Sequence, residues 1–250
     1  MVKGPMRPFK KVPAKRRMKQ GGTITAAVLL VAFALSFFSH TPETPAPDSP
    51  AIQQEEQNGK TFIPLNDNVP NFNSDELTTE GYERYGDLDR LGRVTTAIAS
   101  LGQETMPKDG EERGDISKIK PTGWVQATYE NVSGKYLYNR CHLIGWQLSA
   151  ENSNRKNLIT GTRNFNVNGM LPFENMVADY IRETGNHVAY RVTPVFEGDN
   201  LLCSGVQIEA CSVEDEGEGI RFNVYVYNAQ PDVKIDYGTG ASIPAQDRNG

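Results

Sequence analysis

Residues 139–174, NRCHLIGWQLSAENSNRKNLITGTRNFNVNGMLPFE, constrain the fold more than any other stretch of the chain. Residues 136–144 read as a strand by their apolar and aromatic content, and residues 149–156 as a polar loop. Residues 157–165 are again extended, and a helix is expected over about 171–183. Pro172 suits the first helical turn, and Glu174 lies near the positive end of the helix dipole. Phe173, Val177, Tyr180 and Ile181 make one apolar stripe. A strand pair that feeds a helix can carry side chains from three elements to one point.

The rest of the body is consistent with such a unit leaning on a sheet. Residues 61–65 and 124–129 look like strands, and residues 187–196, 201–213 and 221–227 supply three more. Residues 87–101 mix helical spacing with β-branched residues and fit either element. Residues 107–114 form a charged loop. The class is α+β with a mainly antiparallel sheet.

Residues 1–20 carry eight Lys and Arg and no acid. Residues 23–38 then run without a charge and are almost wholly apolar. Those sixteen residues would span roughly 24 Å as a helix, short of a bilayer core of about 30 Å. A basic flank before an apolar run is a signal peptide or a short N-terminal anchor with its basic end in the cytoplasm. Ala32-Phe33-Ala34 resembles a cleavage site but lies inside the run, which favours the anchor. In either case the body is expected outside the cytoplasm. The domain expectation is a basic segment at 1–20, an apolar signal or anchor at 21–39 and a Pro-rich disordered linker at 40–60. One folded domain at 61–240 and a flexible tail at 241–250 follow.

With the basic segment set aside, residues 41–250 hold 18 bases against 31 acids, a net of −13. That balance argues against long-range attraction of nucleic acid. The charges are unevenly spread, however. Residues 81–163 contain 12 Lys and Arg against 10 acids, whereas residues 164–250 contain 5 against 13. The one non-acidic stretch runs into His142, as a local phosphate groove on an acidic protein would. Three cysteines make no disulfide framework, and small buried residues are the simpler reading.

A base that titrates near neutrality points to histidine. Of the three, His40 lies beside the apolar run and His187 follows a Gly-Asn turn, which suits a structural role. His142 remains. Strand alternation puts Arg140 with His142 on one face, and Asn139 with Cys141 on the other. A cation beside a histidine is costly in a packed core, so the Arg140 face lines a cleft. Turning Cys141 away disfavours a Cys/His nucleophile pair. The chain has no serine nucleophile motif, glycine-rich phosphate loop or CxxC zinc site.

Asn139-Arg140-Cys141-His142, followed by Asn157, Asn166 and Glu174, resembles the ββα-metal (His-Me finger) DNA/RNA non-specific endonucleases. That family shows Asp-Arg-Gly-His, an asparagine in the second strand, and a magnesium-ligating asparagine with a glutamate eight residues on. Asn166 and Glu174 have that offset. The likeness is greatest to the membrane-attached or secreted nucleases that Gram-positive bacteria use in DNA uptake, and it extends over about 61–240.

The resemblance implies an extracytoplasmic, Mg²⁺-dependent endonuclease without sequence preference, with Mn²⁺ able to substitute. It would cut DNA, and RNA as well, to 5′-phosphate ends. His142 would be the general base, and Asn166 the one protein ligand of a hydrated ion. Glu174 would hold metal waters, and Asn157 would position the substrate or the histidine region. Arg140 belongs to the motif. Arg93, in LDRLGR, is the arginine expected at the phosphate, with Arg90 behind it. Each residue alone also has an ordinary reading, Asn166 as a turn residue and Glu174 as a charge suited to a helix start.

Two positions depart from the family pattern. Asn139 stands for Asp, so a charge that could order the loop is absent. Cys141 stands for Gly, which adds a side chain where backbone packs closely. Two other readings follow from the sequence: a catalytically silent surface module that binds nucleic acid, and an envelope domain that presents an acidic sheet to a partner.

Overall fold

The computed structural model describes residues 59–245. The expected basic segment, the signal or anchor, most of the linker and the last five residues of the tail lie outside the described residues. The strands, in chain order, are β1 (Phe62–Pro64), β2 (Tyr82–Tyr85), β3 (Ala97–Leu101), β4 (Tyr138–His142) and β5 (Leu158–Thr162). β6 (Val188–Val195), β7 (Gly205–Ser212), β8 (Arg221–Tyr227), β9 (Val233–Ile235) and β10 (Ser242–Pro244) complete them. The helices are the single turn α1 (Trp146–Ser149) and α2 (Leu171–Thr184).

Six strands form one sheet in the order β1-β8-β7-β6-β3-β2, every neighbouring pair antiparallel. β4 and β5 pair only with each other, as a separate antiparallel ribbon. Alternation sorts the sheet's side chains cleanly. Phe222, Val224 and Val226 of β8 enter the main core, while Tyr225 and Tyr227 pack with Leu65 in another cluster. Arg191 of β6 faces Glu209 directly across the β6–β7 ladder, at 2.9 Å from Nε to Oε2.

α2 lays Phe173, Val177, Ala178 and Ile181 on this core, the expected stripe with Ala178 added. Tyr180 is only partly buried and its hydroxyl donates to Asp215. Burial of each large apolar side chain contributes about 1.5–3 kcal/mol. Phe173 meets both Phe62 and Phe222 with ring centroids 5.0 Å apart. The ribbon joins the same core through Cys141 and Ile159. Buried Asn228, just past β8, locks it there: its carboxamide accepts from Thr162 N–H and donates to the Thr160 carbonyl.

Three local expectations are corrected. Residues 124–129 form no strand, only a bridge between Thr128 and Tyr136. The second extended segment stops at Thr162, and the chain then winds into a π-helical turn, Phe165–Met170, continuous with α2. The tail does not fray from 241, because β10 pairs with β9.

Candidate active site

The ββα unit of β4, β5 and α2 borders a cleft of about 950 Å³. Arg113, Arg140, His142, Arg163, Asn166 and Glu174 line it. The sequence places His142 at the end of β4, and there the ring is only 5% exposed. Its Nε2–H donates to the Asn152 carbonyl at 2.9 Å, which fixes the tautomer. Nδ1 is therefore the acceptor, and it takes a bond from Arg113 Nη2 at 3.1 Å. Burial pushes the imidazole down to about 4; the Arg113 charge adds to that, and the Asn152 carbonyl opposes it. At neutral pH the ring is uncharged and able to take a proton.

Asn166 sits in the π-helical turn, a wide turn of a kind that recurs at functional sites. The residue lines the cleft, and its carboxamide has no hydrogen-bond partner among the described residues. Glu174, half-buried in the first turn of α2, is brought beside Gly145, where a Cβ would come within 2.5 Å of its Oε2. Only a residue without a side chain lets the carboxylate lie so close to that backbone. Burial pushes Glu174 up to about 7, against the pull of the Arg113 charge and a bond from Gln147.

Asn157 is wholly buried and touches no part of the cleft. Its Oδ1 accepts from Ile144 N–H at 2.9 Å and its Nδ2 donates to the Ile144 carbonyl at 3.0 Å. It thus clamps the chain just beyond His142 and does not meet substrate. Arg140 does line the cleft, but its guanidinium donates to the carbonyls of Ser117 and Ile119 and lies 4.1 Å from the Trp124 ring centroid. It is a tether for the 102–123 loop.

Arg93 is a correction. It does not reach the cleft; it is committed to Asp89 at 2.7 Å and to the carbonyls of Gly198 and Asn200, and lies over Phe196. Four such contacts make a structural arginine. Arg90 pairs with Asp199 on the surface. The cation at His142 is Arg113, which lies in the charged loop and was not singled out by the sequence. A lone base within the run EERGD was the only hint.

Cys141 is fully buried, facing the core as alternation requires. A Cβ on Gly161 of the paired strand would fall 2.5 Å from its Sγ, so the thiol fills space left by a bare neighbour. Asn139, however, lines the cleft together with Arg140 and His142. Opposite faces of a two-stranded ribbon do not stay opposite when the ribbon twists strongly. His187 is structural, between Glu214 at 2.7 Å and Glu104 at 3.0 Å.

The donor set fits a sparse oxygen-bound ion. No group of three or more His, Cys, Asp or Glu side chains is placed to hold a metal among the described residues, which argues against a zinc-type cage. One free carboxamide and one carboxylate suit an ion that keeps most of its waters.

A neutral imidazole with the Arg113 cation beside it and a free amide, in one cleft on a ββα unit, define a phosphodiester-cleaving enzyme. Residues 71–214, more than half of the chain, match the DNA/RNA non-specific endonuclease family, and the chain belongs to it. The fold is similar to NucA from Streptococcus agalactiae with magnesium bound, at 25% identity and a TM-score of 0.67, over 79% of this chain and 98% of that one. The same nuclease with no metal bound matches at 26% identity and a TM-score of 0.65, over 79% and 98%. The Sda1 nuclease with zinc bound matches at 26% identity and a TM-score of 0.62, over 75% and 98%. The protein is a nuclease, and its substrate is nucleic acid.

Proposed function

We propose that this protein is a Mg²⁺-dependent endonuclease without sequence preference, acting outside the cytoplasm and held to the membrane by its N-terminal segment or released from it. It cuts DNA and RNA to 5′-phosphate ends, and Mn²⁺ substitutes for Mg²⁺. One observation carries this reading: a buried, neutral His142 and an Asn166 whose carboxamide has no hydrogen-bond partner among the described residues line the same cleft.

In this reading His142 Nδ1 takes the proton of the attacking water, and the leaving 3′ oxygen departs from phosphorus, so the phosphate stays on the 5′ side. Arg113, the cation nearest the base, meets the charge that grows on the phosphoryl oxygens. Asn166 would hold the ion through its side-chain oxygen, and Glu174 would accept hydrogen bonds from the ion's waters. When bound, the ion supplies Lewis-acid stabilisation of the phosphoryl and leaving oxygens. Asn157 and Arg140 act indirectly, by fixing the chain around His142 and the loop that carries Arg113. Contacts that read the backbone carry no base information, which accounts for an absence of sequence preference. The basic flank and apolar run at the N-terminus support the location, as do the metals bound by the similar nucleases for the cofactor.

Plasmid degradation tests the proposal. Wild type is expected to nick and then degrade plasmid DNA with Mg²⁺ and to be silent in EDTA. His142→Ala and Asn166→Ala should each lose activity by about 10³-fold or more with unfolding curves like wild type. Retained activity in His142→Ala would remove the base from the mechanism.

A further inference from the structure

Two side chains of the cleft are left without work by this chemistry. Arg163, directly after β5, makes no hydrogen bond or ion pair through its guanidinium among the described residues. Its Nε is buried with no partner at all. The other cleft arginines are occupied, Arg140 by two carbonyls and Arg113 by His142. An unsatisfied buried donor is unfavourable, and an acceptor arriving from outside removes that cost. Tyr136 is the other. At 61% exposure it is the most exposed large apolar or aromatic side chain among the described residues.

The two are neighbours. The Arg163 N–H donates to the carbonyl of Leu137 at 2.7 Å, one residue beyond Tyr136. The backbone around Tyr136 is fixed by its bridge to Thr128 and by bonds from Tyr129 N–H to Lys135 and from Leu137 N–H to Ala127. A ring carried on fixed backbone and left in solvent, in the same cleft as an unpaired cation, offers a flat apolar surface together with a phosphate-binding group. The matching ligand carries an anion and an aromatic plane a few ångströms apart. A nucleotide does.

We propose that Arg163 and Tyr136 form a subsite for the nucleotide next to the one being cut: the guanidinium takes the neighbouring phosphate and the ring stacks on its base. This rests on the cleft being the substrate cleft. A base can stack on Tyr136 only when it is free of its own duplex partners, so the subsite favours single-stranded or frayed nucleic acid. The attraction is to any base, since every base has a flat face, and it adds affinity without adding sequence preference.

Steady-state kinetics of the full chain on three substrates separates the possibilities. The substrates are the dinucleotide TpT, with one phosphodiester, single-stranded (dT)8, and a 20-base-pair duplex. Arg163→Ala should raise KM for (dT)8 by about tenfold with kcat within about twofold, and leave TpT unchanged. Tyr136→Ala should raise KM for (dT)8 by about tenfold and leave the duplex unchanged, while Tyr136→Phe behaves as wild type. Arg163→Lys should recover part of the loss, and Arg163→Gln serves if the alanine variant unfolds early in a thermal melt. An equal loss on TpT and (dT)8 would put Arg163 at the scissile phosphate and overturn the subsite. Unchanged kinetics in both variants, with His142→Ala still inactive, would overturn it and leave the catalytic cleft standing. Full activity in His142→Ala would instead remove the cleft reading itself.

Discussion

The guanidinium of Arg113 donates to the acceptor nitrogen of His142, Nη2 to Nδ1, across 3.1 Å. In the proposed mechanism that nitrogen takes a proton from water, so Arg113 must first release it. A phosphate is a stronger acceptor for a guanidinium than a neutral imidazole is, since that bond joins opposite charges. In the proposed mechanism substrate binding would draw Arg113 to the phosphate and free Nδ1 in the same motion.

Arg113 therefore contributes twice, and its replacement should show both effects. Arg113→Ala is expected to lower kcat/KM by about 10²–10³-fold, the range for a lost charge-stabilising donor. Its removal also takes a positive charge from beside the imidazole, so the acidic limb of the pH–rate profile should move to higher pH. A profile of kcat/KM from pH 4 to 8, with and without the substitution, measures both.

The metal-free protein should have opposing pH dependences in its stability. The folded-state pKa of His142 lies below its unfolded value, so between pH 6.5 and about 4 the unfolded chain binds a proton that the native ring refuses. Stability falls as pH falls through that window, by about 3 kcal/mol. Glu174 is raised from 4.5 to about 7, so the native carboxyl holds a proton that the unfolded one has lost, and stability rises as pH falls between those values. Wild type should be nearly flat with respect to this pair. Urea unfolding in EDTA should show His142→Ala gaining stability from pH 7 to 4.5, and Glu174→Gln losing it.

Asn157→Ala should leave the Ile144 N–H and carbonyl without partners in the interior. A loss of about 2–4 kcal/mol is expected from the denaturation midpoint. At temperatures where the variant is folded, kcat should fall and KM should not, because the side chain places His142 and touches no substrate.

Arg93→Ala should behave in the reverse way. Its contacts with Asp89, Gly198, Asn200 and Phe196 hold a turn together, so about 2 kcal/mol of stability should be lost. Activity per folded molecule should match wild type, measured as kcat and KM on plasmid DNA below the melting range.

Much of the site was legible because it is nearly continuous in sequence. His142, Asn166 and Glu174 lie on three elements joined by short connections, so their residue types and offsets survive as a readable string. The helix from Leu171 followed from Pro172 and its apolar stripe, which depend on neighbours three and four residues away. Asn157 was visible as a residue but not as a clamp, because its partner is decided by where the loop after β4 returns.

The sequence by itself determined the ββα unit, the antiparallel sheet behind it and the choice of His142 as the candidate base, since each rests on local period and on side-chain chemistry. Tertiary structure alone decided which arginine reaches that base. Arg113 arrives through a 102–123 loop tied down at distant points, by Arg140 on Ser117 and Ile119 and by Thr105 on the Leu148 carbonyl. Arg93 is withdrawn by contacts with residues more than a hundred positions away. Such pairings carry no period along the chain: they follow from the closure of loops on a finished core, so they exist only once the core has formed.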